Sequence, residues 1–213
     1  MGLDVKIKDG GGTGTEAKVG NDGDLYVTNI GLPPKNVTAV LRPYSSFLTN
    51  EAGSEDMQVS ATLAIPQDFY IEATGDGDRY IQTLAFTIAD AGAGLSDFGN
   101  ITALTNGCQL IYQDSELGDV VIGDALKSNF DFVQLCNFEP TFGTGTESFR
   151  ANNVTGTSEA YVPVLDITDV FGLPYGLRLP ANSTKRLAIR VRDTTTGVDR
   201  FDVKAFGFDR IGD

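Results

Sequence analysis

Nowhere in this sequence do apolar residues recur at helical spacing over a sustained stretch. They come in short runs, often alternating, cut every ten residues or so by Gly, Asn, Asp and Pro. A run of this kind buries one face and leaves the other to solvent, so several of them are satisfied only by closing into a sandwich or a barrel. The 25 glycines, well above the usual ~7% share, push the same way, toward turns and strands. The expected fold is all-β: a two-sheet antiparallel β-sandwich, jelly-roll-like, of about eight to ten strands, with an extended N-terminal arm. The arm is assigned to residues 1–30 and the sandwich to residues 31–213.

Particular runs carry this reading. Met57 to Ile65 alternates, which predicts a strand with Met57, Val59, Ala61, Leu63 and Ile65 on one face, stopped by Pro66. A strand over 69–73 follows. After the turn signal Gly75-Asp76-Gly77-Asp78 comes a strand over 80–89 with Leu84, Phe86 and Ile88 inward. Near the end of the chain, Leu187, Ile189 and Val191 face one way and Arg186, Arg190 and Arg192 the other. Residues 194–197 then turn, and Phe201, Val203 and Ala205 return, which predicts a hairpin with Asp202 and Lys204 outward, within reach of the arginines. Shorter apolar runs at 108–112, 120–122, 130–135 and 161–165 supply further strands. Only 123–129 reads as a helical turn. In the arm, Asp9-Gly10-Gly11-Gly12-Thr13-Gly14-Thr15 builds no core, and Asn21-Asp22-Gly23-Asp24 between 17–19 and 25–28 predicts a small hairpin.

Charge narrows the function. Sixteen Lys and Arg against 29 Asp and Glu give a net charge of −13, which repels nucleic-acid phosphates and anionic lipids, so neither nucleic acid nor membrane is an expected partner. The sequence contains no His and no Trp. Without imidazole the commonest general base and the commonest zinc ligand are both missing. The opening MGLDVKIKDGGG has neither the apolar core nor the cleavage site of a secretory signal, and Lys6 stands where a myristoylation signal needs Ser or Thr. Cys108 and Cys136 are in no metal-binding spacing; they read as buried thiols, with a disulfide between them the alternative.

The remaining motifs are weak carriers of chemistry. Asp76-Gly77-Asp78 and the Asp22 and Asp24 turn offer oxygen ligands, yet neither matches an EF-hand loop. Asp166 and Asp169 form a carboxylate pair without a sugar platform. Gly10 to Gly14 lacks the Lys and Ser or Thr of a phosphate loop, since Thr15 and Glu16 follow it. Asn36, Asn100, Asn153 and Asn182 head matches to the glycosylation pattern that a chain rich in Asn and Thr produces by chance. The Arg186, Arg190 and Arg192 stripe reads as a solvated or ion-paired sheet face, with a binding surface for an acidic protein the alternative. No catalytic residue, cofactor or metal site is therefore expected.

Against this background two groups of residues are familiar. Lys6-Ile7-Lys8-Asp9-Gly10, Thr13-Gly14 and Glu16-Ala17-Lys18-Val19, with Leu25-Tyr26-Val27 close behind, form the first. The second runs through Phe47-Leu48-Thr49, Gly53-Ser54, Asp56-Met57-Gln58-Val59, Phe98-Gly99-Asn100, Leu104-Thr105-Asn106-Gly107 and Phe149-Arg150-Ala151-Asn152-Asn153. Together they resemble structural proteins of tailed-bacteriophage virions found at the head, neck or tail. The resemblance implies a non-enzymatic subunit, made in the host bacterial cytoplasm and built into the virion as a capsid-decoration or collar-type component. It implies homo-oligomers and contacts with major capsid, neck or tail proteins. The assembly contacts fall to the arm residues Lys8, Asp9, Gly10, Thr13, Gly14, Ala17, Lys18 and Val19, which can add to a neighbour's sheet edge. The alternative is a carbohydrate- or receptor-binding module of a tail fibre, with Phe98 and Tyr112 or Phe142 and Phe149 as stacking surfaces.

Overall fold

A computed structural model describes residues 15–19, 25–29, 40–73, 75, 77–91, 96–98, 101, 103–136 and 158–212. The chain divides into two compact units, Met1–Leu41 with Arg210–Asp213, and Arg42–Asp209. In the first, β1 (Thr15–Val19) and β2 (Leu25–Asn29) pair antiparallel, Ala17 opposite Val27 and Val19 opposite Leu25. This is the hairpin read from the Asn-Asp-Gly-Asp turn. Of the proposed assembly residues, Ala17, Lys18 and Val19 lie on β1, whereas Lys8, Asp9, Gly10, Thr13 and Gly14 lie outside the described residues.

Ten further strands build two antiparallel sheets. They are β3 (Val40–Phe47), β4 (Gln67–Glu72), β5 (Gly77–Ala91), β6 (Cys108–Gln113), β7 (Val120–Leu126), β8 (Ser158–Tyr161), β9 (Val164–Asp166), β10 (Leu177–Leu179), β11 (Arg186–Val191) and β12 (Arg200–Ile211). The larger sheet runs β10-β5-β12-β3, with β8 and β9 also on β5; the smaller runs β4-β11-β6-β7. The inward residues of both sheets form one core. Phe69, Leu110, Leu187, Ile189 and Val191 come from the smaller sheet and Leu84, Phe86, Ile88, Phe201 and Val203 from the larger, all buried. The all-β two-sheet reading is therefore correct, and β5, β11 and β12 carry the inward residues that alternation assigned.

The wiring differs in three places. β11 and β12 do not form a hairpin: β11 lies in the smaller sheet between β4 and β6, and β12 in the larger between β5 and β3. Residues 192–199 cross from one layer to the other, and two strands with inward apolar faces satisfy a sandwich core from opposite sides as well as they would from one. The expected strand over 57–65 does not form. Met57 and Ala61 are buried, but Leu63 and Ile65 are 62% and 69% exposed. This segment is held by isolated bonds instead: Met57 N–H donates to Phe201 O at 2.9 Å, Val59 N–H to Thr195 Oγ1 at 3.0 Å, and Thr195 Oγ1 to Met57 O at 2.6 Å.

The helical turn expected at 123–129 is displaced. Residues up to Leu126 belong to β7, and the 130–135 run read as a strand is helix α1 (Asn129–Leu135). A capping box starts it: Ser128 Oγ accepts from Asp131 N–H at 3.3 Å, and Asp131 Oδ2 accepts from Ser128 N–H at 2.9 Å. The helix delivers Phe132 to the centre of the core, where it meets Phe86, Phe98 and Phe201 with ring centroids 5.3, 5.8 and 6.0 Å away. Phe98 and Phe201 meet edge to face at 4.9 Å. Each such pair contributes about 0.5–1.5 kcal/mol beyond burial.

Both cysteines are free and buried, and burial pushes each thiol up to about 12. The thiolate is the nucleophile, so neither should react with an aromatic disulfide reagent at neutral pH until the protein is unfolded in urea; rapid reaction in buffer would contradict this burial. Phe201→Ala removes the ring shared by two of the three other phenylalanines and should cost about 3–5 kcal/mol, read as a fall in urea-unfolding free energy.

Candidate interaction surface

The outward face of the smaller sheet is a ladder of ion pairs built on β11. Arg190 stands opposite Asp68 of β4 in the register and binds it with two bonds, Nε and Nη2 each at 2.8 Å; its Nη1 lies 2.9 Å from Asp119. Two parallel bonds from one guanidinium fix the carboxylate in plane as well as in position. Gln113 Nε2 donates to the same Asp68 at 2.8 Å. Arg186 stands opposite Glu72, donates to it at 3.0 Å, reaches Glu51 at 3.2 Å and lies 3.8 Å from the centre of the Tyr70 ring. Arg192 pairs with Asp124 at 2.7 Å.

The arginine stripe is thus an ion-paired face, as its sequence suggested, but with other partners. The acids come from β4, from β7 and its preceding turn, and from Glu51. Asp202 and Lys204 are on β12 in the other sheet, where Asp202 is nearly covered and pairs with Arg200, and Lys204 lies 5.2 and 5.5 Å from the Phe47 and Phe206 ring centres. Sequence could not choose these partners because the choice depends on which strands flank β11.

A second cluster was missed altogether. Asp209, its side chain 2% exposed, accepts from Arg79 Nε at 2.8 Å, from Arg79 Nη2 at 3.1 Å and from Arg42 Nη2 at 3.2 Å. The Arg79 guanidinium carbon lies 4.3 Å from the centre of the Tyr44 ring. The one available signal is parity: Asp209 shares the odd-numbered face of β12 with Phe201, Val203 and Ala205. Burial alone would raise the Asp209 carboxyl, but Arg79 and then Arg42 outweigh it and hold it below its ordinary value of 3.8.

The remaining acidic candidates are occupied locally. Asp166 caps the short helix α2 (Ile167–Val170), accepting from Thr168 N–H at 2.9 Å, Asp169 N–H at 3.2 Å and Thr168 Oγ1 at 2.6 Å; it is not one half of a carboxylate pair across a cleft. Asp78 accepts from Arg178 Nε at 2.7 Å and Ala181 N–H at 3.0 Å. Asp114 holds the β6–β7 turn through Glu116 N–H at 2.9 Å and lies 2.9 Å from Lys185 Nζ; these two, in that order, keep its carboxyl low. Phe98 is buried among the core rings, so it is not a sugar-stacking surface, and Phe142 and Phe149 lie outside the described residues.

The sheet margins differ in how they are closed. Thr49 and Tyr70 exchange backbone bonds of 3.1 and 2.9 Å, which covers the middle of β4. At the opposite margin, β7 pairs with β6 alone among the described strands. It carries Val120 and Val121, 51% and 47% exposed, next to a turn that exposes Leu117. Its far end is irregular, with register shifts against Cys108, Leu110 and Ile111 and a left-handed Ala125 (φ 52°). Bulges of this kind discourage edge-to-edge pairing, which leaves Val120 and Val121 as the regular part of the edge. No family model, curated protein or solved structure matches the chain.

A group whose folded pKa lies below its unfolded one stabilises the fold above the unfolded value and loses that contribution as pH falls through the folded value. Asp209 should therefore contribute stability above about pH 4 that is lost on further acidification. Asp209→Asn should flatten the dependence of the urea midpoint on acid between about pH 5 and about pH 2; an unchanged acid limb would remove Asp209 from the account.

Proposed function

We propose that this chain is a non-enzymatic structural subunit of a tailed-bacteriophage virion that works through contacts with fellow subunits at the capsid, neck or tail, and that its N-terminal ribbon adds to the β7 edge of a neighbouring copy. The observation that carries the reading is the unequal treatment of the two margins of the smaller sheet. One is bridged at Tyr70 by Thr49, and at the other β7 pairs with β6 alone among the described strands and carries exposed valines. An added strand gains main-chain bonds along such an edge and side-chain contacts from alternate residues. The β1–β2 ribbon is a suitable donor, because two strands alone are marginal in water and gain from a third. The resemblance of residues 6–27 to openings of phage virion proteins supplies the virion, whereas the jelly-roll-like wiring rests on the spacing of strands and turns. The carbohydrate-binding alternative is disfavoured by the burial of Phe98.

Deleting residues 1–30 should leave a folded sandwich, with an unchanged cooperative melt, that sediments as a smaller species and fails to enter particles. Val121→Lys, which places a charge on the edge, should reproduce the assembly defect in the full-length chain. Normal incorporation of both variants into particles would defeat the reading.

A further inference from the structure

The sequence contains one Asn-Gly pair, Asn106-Gly107, and neither the fold nor the proposed function accounts for the way it is held. In such a pair the glycine amide nitrogen can attack the asparagine side-chain carbonyl, because no side chain obstructs the approach. A bond forms from Gly107 N to Asn106 Cγ, the Cγ–Nδ2 bond breaks, and the Gly107 amide proton leaves with the departing ammonia. Water then opens the cyclic imide to aspartate or isoaspartate. The reaction begins only when Gly107 N loses its proton and the carboxamide turns toward it.

Arg192 and Asp193, immediately after β11, grip both reacting groups. Asp193 Oδ2 accepts from Gly107 N–H at 2.7 Å and from Asn106 N–H at 2.8 Å, and Asp193 Oδ1 accepts from Asn106 Nδ2 at 3.0 Å. Asn106 Nδ2 is also 3.3 Å from Arg192 O. A carboxylate bonded to the nucleophile's N–H opposes its deprotonation, and the same carboxylate fixes the carboxamide. Arg192 acts in the other direction: its Nη2 donates to Asn106 O at 2.5 Å and its Nε to Gly107 O at 3.0 Å. A cation on the carbonyl of the Asn106–Gly107 peptide stabilises the amide anion and so favours attack. Glycine cannot be exchanged for a less reactive neighbour, since Gly107 has φ +73° and a Cβ there would lie 2.9 Å from backbone atoms of Ala125 and Leu126.

We propose that Asn106-Gly107 is a latent deamidation site, primed by Arg192 and held closed in the folded chain by the Asp193 carboxylate. The test is peptide mapping by mass spectrometry after incubation in mildly alkaline buffer, with thermal melts confirming the folded state of each variant. The wild type should retain its amide. Asp193→Ala should convert residue 106 to the acid faster by about ten- to a hundredfold, the factor carried by one charge-assisted hydrogen bond. Adding Arg192→Gln to that variant should slow the conversion again, an outcome that simple loosening of the loop would not give. A folded Asp193→Ala no faster than wild type, or a double variant as fast as the single, would overturn the proposal. Should Asp193→Ala fail to fold, amide exchange of Gly107 in the wild type decides it: strong protection supports the Asp193 bond, and exchange as fast as in an unstructured peptide refutes it.

Discussion

The smaller sheet depends on β11 being apolar on one face and cationic on the other. Leu187, Ile189 and Val191 fill the core, while Arg186 and Arg190 reach sideways to carboxylates of β4 and of the turn before β7. Exposed ion pairs add little stability individually. Here they act mainly on register, because a one-residue slip would turn every arginine into the core and every leucine, isoleucine and valine outward. Ala188, on the charged face, is itself covered, so the long side chains on either side of it pack as well as pair. Immediately beyond the strand the same alternation of function continues, as Arg192 and Asp193 grip the backbone at the start of β6.

The facing layer is organised by close backbone approach and by aromatic packing. A Cβ at Gly207 would lie 1.9 Å from Tyr80 O, so only glycine lets β12 come this close to the start of β5. Beside this point the inward face changes character. Phe201, Val203 and Ala205 give way to Asp209, and the apolar residues of β5 give way to Arg79. A buried carboxylate is tolerated there because two guanidiniums reach it; with one partner removed, it would be left buried and underpaired. The four phenylalanines from β5, the 96–98 segment, α1 and β12 then tie the helix and that segment to the inward face of this sheet.

Periodicity made the layers legible and left their wiring hidden. The inward sets of β5, β11 and β12 follow from alternation because a strand's side-chain period is fixed by its backbone. Whether β12 returns beside β11 or crosses to the other layer depends on the 192–199 connection, whose turn chemistry suits both. The alternation over 57–65 misled for a related reason. Thr195 and Phe201 supply partners to the backbone of Met57 and Val59 one at a time, and Thr62 and Ile65 bond each other, so the segment is anchored without joining a ladder. Helix α1 did leave a signal, Ser128 three residues before Asp131, the spacing of a capping box. The short apolar run behind it obscured that signal, since a helix of seven residues and a strand of six contain similar numbers of Phe, Val and Leu.

The placement of cations also shapes how copies of this chain can meet. Arg42, Arg79, Arg178, Arg186, Arg190, Arg192 and Arg200 each engage a carboxylate of their own chain. The excess of 13 negative charges is therefore left largely on the surface, where approaching copies repel one another over roughly a Debye length, about 8 Å at physiological salt. The association proposed above would then draw on short-range terms, backbone bonds along an edge and apolar contact, which act at distances where screening has already weakened the repulsion. The edge at Val120 and Val121 fits that requirement better than the arginine ladder does. The ladder's charges are already matched, and a partner could engage them only by displacing bonds that set the register of the sheet.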